Sequence, residues 1–208
     1  MQSPHVDPNG IRSKRDWRTQ LSAARGALTD RAREAANDRL ANHVAAMAVT
    51  SDPAATIAAY APVGNEPGSW ELLDALAAGG AQILLPVVDS GAARPLSWAV
   101  YRSRDDVATG RFGICEPIGP RLAPKAIGDA ALILVPALAT DHRGVRLGRG
   151  AGYYDRSLPM ASGLLVTLLY DHEFVPGPLP MDAHDIPVHA TITPEHGLQR
   201  LPLGNSGR

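Results

Sequence analysis

The run "AALILVPALA", Ala130 to Ala139, carries no charged side chain and is the longest apolar stretch of the chain. It is too short to cross a membrane, which takes about 20 apolar residues, and Pro136 interrupts it. A short, continuous apolar run of this kind reads as a strand buried on both faces. Three other runs share its texture: "ATIAAYAPV" (55–63), "AQILLPVV" (81–88) and "GLLVTLLY" (163–170). "PLSWAVY" (95–101) reads as a further strand. Between the first two lies "SWELLDALAAGG" (69–80), a helix with Ser69 near its cap and Gly79 and Gly80 at its end. Alternation of buried strands and helices predicts an α/β fold. The expected form is a three-layer α/β/α arrangement, a mainly parallel sheet with helices on both faces.

Upstream, residues from Ile11 to about Val49 follow a helical pattern. Trp17, Leu21, Ala24 and Leu28 recur at three- and four-residue steps, and Thr29 is placed to cap a second helix. An N-terminal helical pair packed on the sheet is therefore expected. Residues 1–10 read as a flexible leader, 11–198 as a single domain and 199–208 as a flexible tail.

The whole chain has 208 residues and a formal net charge of -1, so it lacks the basic footprint of a general nucleic-acid binder. It contains one cysteine, Cys115, which excludes an intramolecular disulfide framework and suits a reducing cytoplasm. Its N-terminus shows no apolar signal core. These features predict a cytoplasmic protein that takes neither nucleic acid nor membrane as partner; a monomer is expected, though no sequence feature fixes it.

In open α/β sheets the ligand crevice lies beyond the carboxyl ends of the strands. After the apolar run comes "RLGRGAGYYDR", Arg146 to Arg156. Its glycines, Gly148, Gly150 and Gly152, form neither a P-loop nor the dinucleotide fingerprint, because no Gly-Lys-Ser/Thr follows and "TDHRGVR" separates them from the strand. Taken alone they fit a simple turn. Their flanks point to an anion: Arg146 and Arg149 supply forked donors, and glycine backbone can approach phosphate closely. A helix start after Gly152 adds to the same preference. Asp155 would repel phosphate unless a magnesium ion bridges them. Tyr153 and Tyr154 suit stacking, hydrogen bonding or core packing, and at least one is expected in the core.

The segment "LVPALATDHRGVRLGRGAGYYDR" (134–156) resembles the signature of the 5-formyltetrahydrofolate cyclo-ligase family, also called 5,10-methenyltetrahydrofolate synthetases. Other segments agree in order: Lys14 and Arg18 in "KRDWR", Glu66 and Ser69 in "NEPGS", "GRFGICEP" (110–117) and "HDIPVHATITPEHG" (184–197). The resemblance covers roughly residues 12–198, with departures at Ser69, Ala151, His189 and Pro194.

The resemblance implies a reaction that uses ATP as co-substrate and Mg2+ to turn 5-formyltetrahydrofolate into 5,10-methenyltetrahydrofolate, through a phosphorylated formyl group. It implies ATP contacts at Lys14, Arg18, Arg146, Leu147, Gly148, Arg149, Gly150, Ala151, Gly152, Tyr153 and Tyr154. Ala61, Glu66 and Tyr153 would meet the folate. Asp155 and Asp185 would hold the metal, with Asp171 as a rival, and Arg149, Tyr153 and Asp155 would serve catalysis. Cys115 has no base partner in sequence and reads as a packed side chain. Two other readings stand beside this one. The first is a sugar-phosphate isomerase or CoA-transferase-like enzyme that uses the glycine loop without ATP. The second is a folate- or nucleotide-binding protein without turnover.

Overall fold

The computed structural model describes residues 12–89 and 91–203. The expected leader, Ile11, and residues 204–208 of the expected tail lie outside the described residues. Two hydroxyl caps start the first helices. Ser13 accepts from the Asp16 amide at the head of α1 (Lys14–Gly26), and Thr29 accepts from Ala32 at the head of α2 (Asp30–Ala45). β1 (Thr56–Ala58) follows, then α3 (Trp70–Ala78), whose cap is Ser69 as expected. Next come β2 (Gln82–Val87), β3 (Ser97–Tyr101), β4 (Val107–Thr109), β5 (Cys115–Pro117) and β6 (Arg121–Leu122). The opening apolar run divides at Pro136, which has no N–H to give a ladder. Its first half is β7 (Leu132–Val135) and its end begins β8 (Ala139–Asp141), in a different sheet. β9 (Arg146–Leu147), α4 (Tyr153–Ser157), β10 (Leu164–Leu168), β11 (Phe174–Val175), β12 (Ala190–Thr193) and β13 (Gly197–Arg200) complete the order.

The main sheet runs β13-β12-β10-β7-β1-β2-β3-β6. The central run β12-β10-β7-β1-β2 is parallel, and β13, β3 and β6 pair antiparallel at the edges. A mainly parallel sheet is thus what the apolar runs build. Alternate residues of each run go to opposite faces. Ile57, Ile83, Leu132 and Leu134 join one cluster, while Ala58, Leu84, Ile133 and Val135 join the other.

The first face is covered by α2, through Leu40 and Val44, and by α3, through Leu72 and Leu76. Full burial of one such side chain contributes roughly 1.5–3 kcal/mol, which fixes α2 despite its polar composition. The second face is closed by 3₁₀ turns at Pro124–Asp129 and Leu158–Met160 and by the short α4 rather than by long helices. The N-terminal pair also separates: α1 packs Leu21 and Trp17 on the small sheet β11-β8-β9, apart from the cluster that holds α2. Residues 199–203, expected in the tail, extend the ordered edge. β13 pairs with β12, and Leu201 and Leu203 donate to the carbonyls of His189 and His142. Among the described residues no helix is long and apolar enough to cross a membrane.

β1 and β7 lie side by side, but the chain leaves β1 toward β2 and leaves β7 toward β10 on the other side. Their following loops therefore diverge and open a crevice, the switch point at which ligands bind in this class of sheet.

Candidate active site

The crevice is lined from the strand ends outward. Tyr60, Ala61 and Glu66 follow β1, Val88 follows β2, and Pro136 and Ala137 follow β7. Together with the glycine loop they enclose a largely apolar pocket of about 320 Å³. A second, polar cleft of about 330 Å³ lies on the other side of that loop. It is lined by Lys14, Arg18, Arg146, Asp155 and Asp185, with Leu147, Gly148, Gly150, Ala151 and Gly152 between them, whereas Arg149 lines the apolar pocket instead. Gly148, Gly150, Ala151 and Gly152 border both spaces, so the loop is their common wall.

The hairpin that presents this loop is organised by Asp141. Its buried carboxylate accepts from the amides of Arg143, Val145 and Leu179 and pairs with the Arg143 guanidinium at 2.8 Å. Within the loop, Gly150 and Gly152 have φ of 97° and 74°, where a side chain is strained. Ala151 is not among the positive-φ residues, so alanine fits the backbone there. A Cβ on Gly150 would stand 3.1 Å from Arg18 Cζ, which shows how closely that guanidinium lies on the loop. Arg18 also donates its Nε to the Gly148 carbonyl at 2.9 Å. α4 has only five residues, so the loop draws little from a helix dipole.

Arg146 differs from the exposed phosphate arginine its sequence context suggests. Its side chain is 6% exposed and meets Asp155 Oδ1 at 2.5 Å. Burial pulls the guanidinium below its ordinary value, and Asp155 opposes that loss. The Arg146 Nε is buried without a partner. Asp155 thus has an internal counterion as well as a place for a metal. Leu147 points into the cluster beneath α1, so only its backbone faces the cleft. Tyr154 is partly buried and lines the apolar pocket; its hydroxyl is buried and unpartnered, and burial pushes its phenol up. Tyr153, like Tyr154, packs against the cluster on the second face of the main sheet and lines the apolar pocket.

Arg149 is 57% exposed and pairs with Glu66 Oε1 at 2.9 Å. Glu66 also accepts from the Val63 amide at 3.0 Å, which holds its carboxylate at the pocket rim. Lys14 meets Asp185 Oδ2 at 2.6 Å and Asp182 Oδ2 at 2.8 Å. Burial alone would raise the Asp185 carboxyl, but the Asp182 amide and Lys14 outweigh it and hold the group below the usual range.

Asp155, Asp185 and His184 offer ligand atoms within 4.8 Å of one another. Two carboxylates, Asp155 in the first turn of α4 and Asp185 in the loop before β12, form the hard oxygen set that magnesium takes, so the residues fit that ion. Asp171 lies outside this group and instead accepts from the Glu195 amide at 3.0 Å. Ser69 serves as a helix cap, and Cys115 is a free thiol in β5.

Sequence reasoning missed the far wall of the apolar pocket: Pro86, Val88, Leu96, Phe112 and Ile114. Phe112 has a φ of 59° and is 64% exposed, with the Arg111 guanidinium 4.7 Å from its ring centre. An exposed aromatic held in a strained backbone at a pocket mouth is a signal of ligand contact. The sequence supplied only the segment "GRFGICEP", without that conformation.

The family model described as "5-formyltetrahydrofolate cyclo-ligase family" matches residues 10–194. A 5-formyltetrahydrofolate cyclo-ligase of Mycolicibacterium smegmatis is 40% identical over 195 residues, 91% of this chain and 98% of the relative. The Escherichia coli K12 protein of the same name is 28% identical over 142 residues, covering 67% and 78%. The solved structure of Aquifex aeolicus 5,10-methenyltetrahydrofolate synthetase superposes with a TM-score of 0.77 at 30% identity, covering 94% of this chain and 96% of that one.

Proposed function

The chain belongs to the 5-formyltetrahydrofolate cyclo-ligase family, and from that premise we propose that it makes 5,10-methenyltetrahydrofolate from 5-formyltetrahydrofolate with ATP. The observation that carries this reading is the shared wall. One glycine loop separates an apolar pocket with a carboxylate rim from a cationic, carboxylate-bearing cleft. A flat, polar-edged pterin suits the first space and a triphosphate the second, so the two substrates would meet at the edge of the loop, beside Arg146 and Asp155, which line both spaces.

In this reading the folate lies in the apolar pocket. Glu66 accepts from the donor edge of the pterin, and Ala61 and Tyr153 shape the space around it. Lys14, Arg18 and Arg149 orient the phosphates, and backbone amides of residues 148–152 complete their hydrogen bonds. Asp155 and Asp185 would hold magnesium, which when bound neutralises phosphate charge. The formyl oxygen attacks the γ-phosphorus and ADP leaves. N10 of the folate then attacks the activated carbon and loses its proton, and phosphate departs with the former formyl oxygen. No protein nucleophile is required, because the substrate's own oxygen attacks. Positioning and charge neutralisation therefore carry the rate. The isomerase-like alternative accounts for the loop but leaves Glu66 and the apolar pocket unused. We also infer a cytoplasmic monomer.

The test is direct. Protein, 5-formyltetrahydrofolate, ATP and magnesium should together produce the methenyl absorbance, with one ADP formed per folate converted. Binding of both substrates without product would leave the binding-only reading in its place.

A further inference from the structure

A third cleft, of about 360 Å³, opens between α1 and the loop after β1. Three arginines line it: Arg18, Arg25 and Arg149. Ser22, Gly64 and Asn65 add polar or backbone surface, and no carboxylate lines it among the described residues. The helix explains the clustering. Arg18, Ser22 and Arg25 are spaced by four and three residues, so they share one face of α1.

Each guanidinium holds five donors, and none of the three is fully used. Arg18 commits its Nε to Gly148, and Arg149 its Nε to Glu66. Arg25 is 3% exposed, with Nε and Nη2 given to Glu173 and Ala137. Its Nη1 is buried with no partner. That atom is enclosed by protein, so Arg25 offers the cleft its charge and not an open donor. The cleft also adjoins both proposed substrate spaces. It shares Val63 and Arg149 with the apolar pocket and Arg18 with the polar cleft.

We propose that this cleft is a carboxylate subsite, filled by the glutamate carboxylates of the folate whose pterin lies in the apolar pocket. Planar forked guanidiniums suit both carboxylate and phosphate oxygens. The proposal rests on the folate and ATP reading for the source of the anion, while the cationic lining stands on its own.

Arg25 is a poor place to test it, because removing it strands Glu173. Ser22 is exposed and lies on the cleft face. Ser22→Asp adds a carboxylate to the lining, and Ser22→Asn adds the same bulk without charge. Affinities are measured by calorimetry, without turnover, for 5-formyltetrahydrofolate, for 5-formyltetrahydropteroate (the same molecule lacking glutamate) and for ADP with inorganic phosphate. A carboxylate occupant predicts that Ser22→Asp binds the folate roughly tenfold more weakly than Ser22→Asn does, with the pteroate unaffected. That loss appearing instead for ADP and phosphate, with an unchanged folate-to-pteroate ratio, would overturn the proposal, because the cleft would then be part of the phosphate site. Equal affinities of the two variants for every probe would overturn the subsite. A wild-type protein that binds these ligands but forms no methenyl product would count against the proposed reaction and leave this result readable.

Discussion

Asp155 answers to two cations at once. It is the counterion of buried Arg146, and it is one of two carboxylates suited to magnesium. Read from sequence, an aspartate beside phosphate-binding arginines called for a metal; the structure adds that Arg146 neutralises it first. Asp155→Asn keeps an acceptor for Arg146 but loses the charge. We expect turnover to fall by roughly 10²-fold or more, with folate affinity within a few-fold of wild type. Thermal unfolding should reveal a smaller second effect, about 1–2 kcal/mol, because Arg146 stays buried beside a neutral partner. Equal losses in turnover and folate affinity would count against the metal role. A variant that is inactive yet fully stable would count against the ion pair.

At the scale of elements, the glycine loop works through backbone shape. Gly150 needs its positive φ and sits against Arg18, whereas Ala151 occupies a conformation open to alanine. Gly150→Ala should therefore weaken ATP binding about tenfold or more while Ala151→Gly leaves it within about twofold, a contrast measured as ATP affinity in the two variants. The sequence shows Ala151 only as a departure from the family pattern, because residue type is visible in a sequence and φ is not. The strands were legible for the opposite reason: continuous apolar runs at 55–63, 81–88, 130–139 and 163–170 leave few alternatives to burial on both faces. The division of one run at Pro136 between two sheets was not legible, nor was the strand at Gly197–Arg200. Each depends on which distant strand lies alongside, and local pattern does not encode that. The site divides in the same way. Charged residues in motif order were readable, whereas Phe112 and Leu96 became site residues only when the chain folded them across from Ala61.

At the scale of the whole molecule, α1 poses a problem of attachment. It shares no cluster with the main sheet, yet it carries Lys14 and Arg18 to the polar cleft. Apolar contacts from Leu21 and Trp17 hold it to the small sheet. The tie to the strand ends of the main sheet is Arg25, which reaches Glu173 after β10 at 2.7 and 2.8 Å and the Ala137 carbonyl after β7 at 2.9 Å. Glu173 also accepts from the Tyr170 amide at 3.0 Å, so the carboxylate is enclosed by donors. Breaking such a buried pair from one side leaves an uncompensated charge, whereas removing both partners together costs much less. Arg25→Met and Glu173→Leu alone should each lower unfolding free energy by about 3–5 kcal/mol, and the double variant should lose far less than their sum. Denaturant unfolding of the four proteins measures the coupling directly. A cleanly additive result would mean that the pair is not the tie. The double variant should also bind ATP more weakly than wild type even where it is nearly as stable, because α1 would keep its packing on the small sheet but lose the contact that fixes Lys14 and Arg18 over the glycine loop.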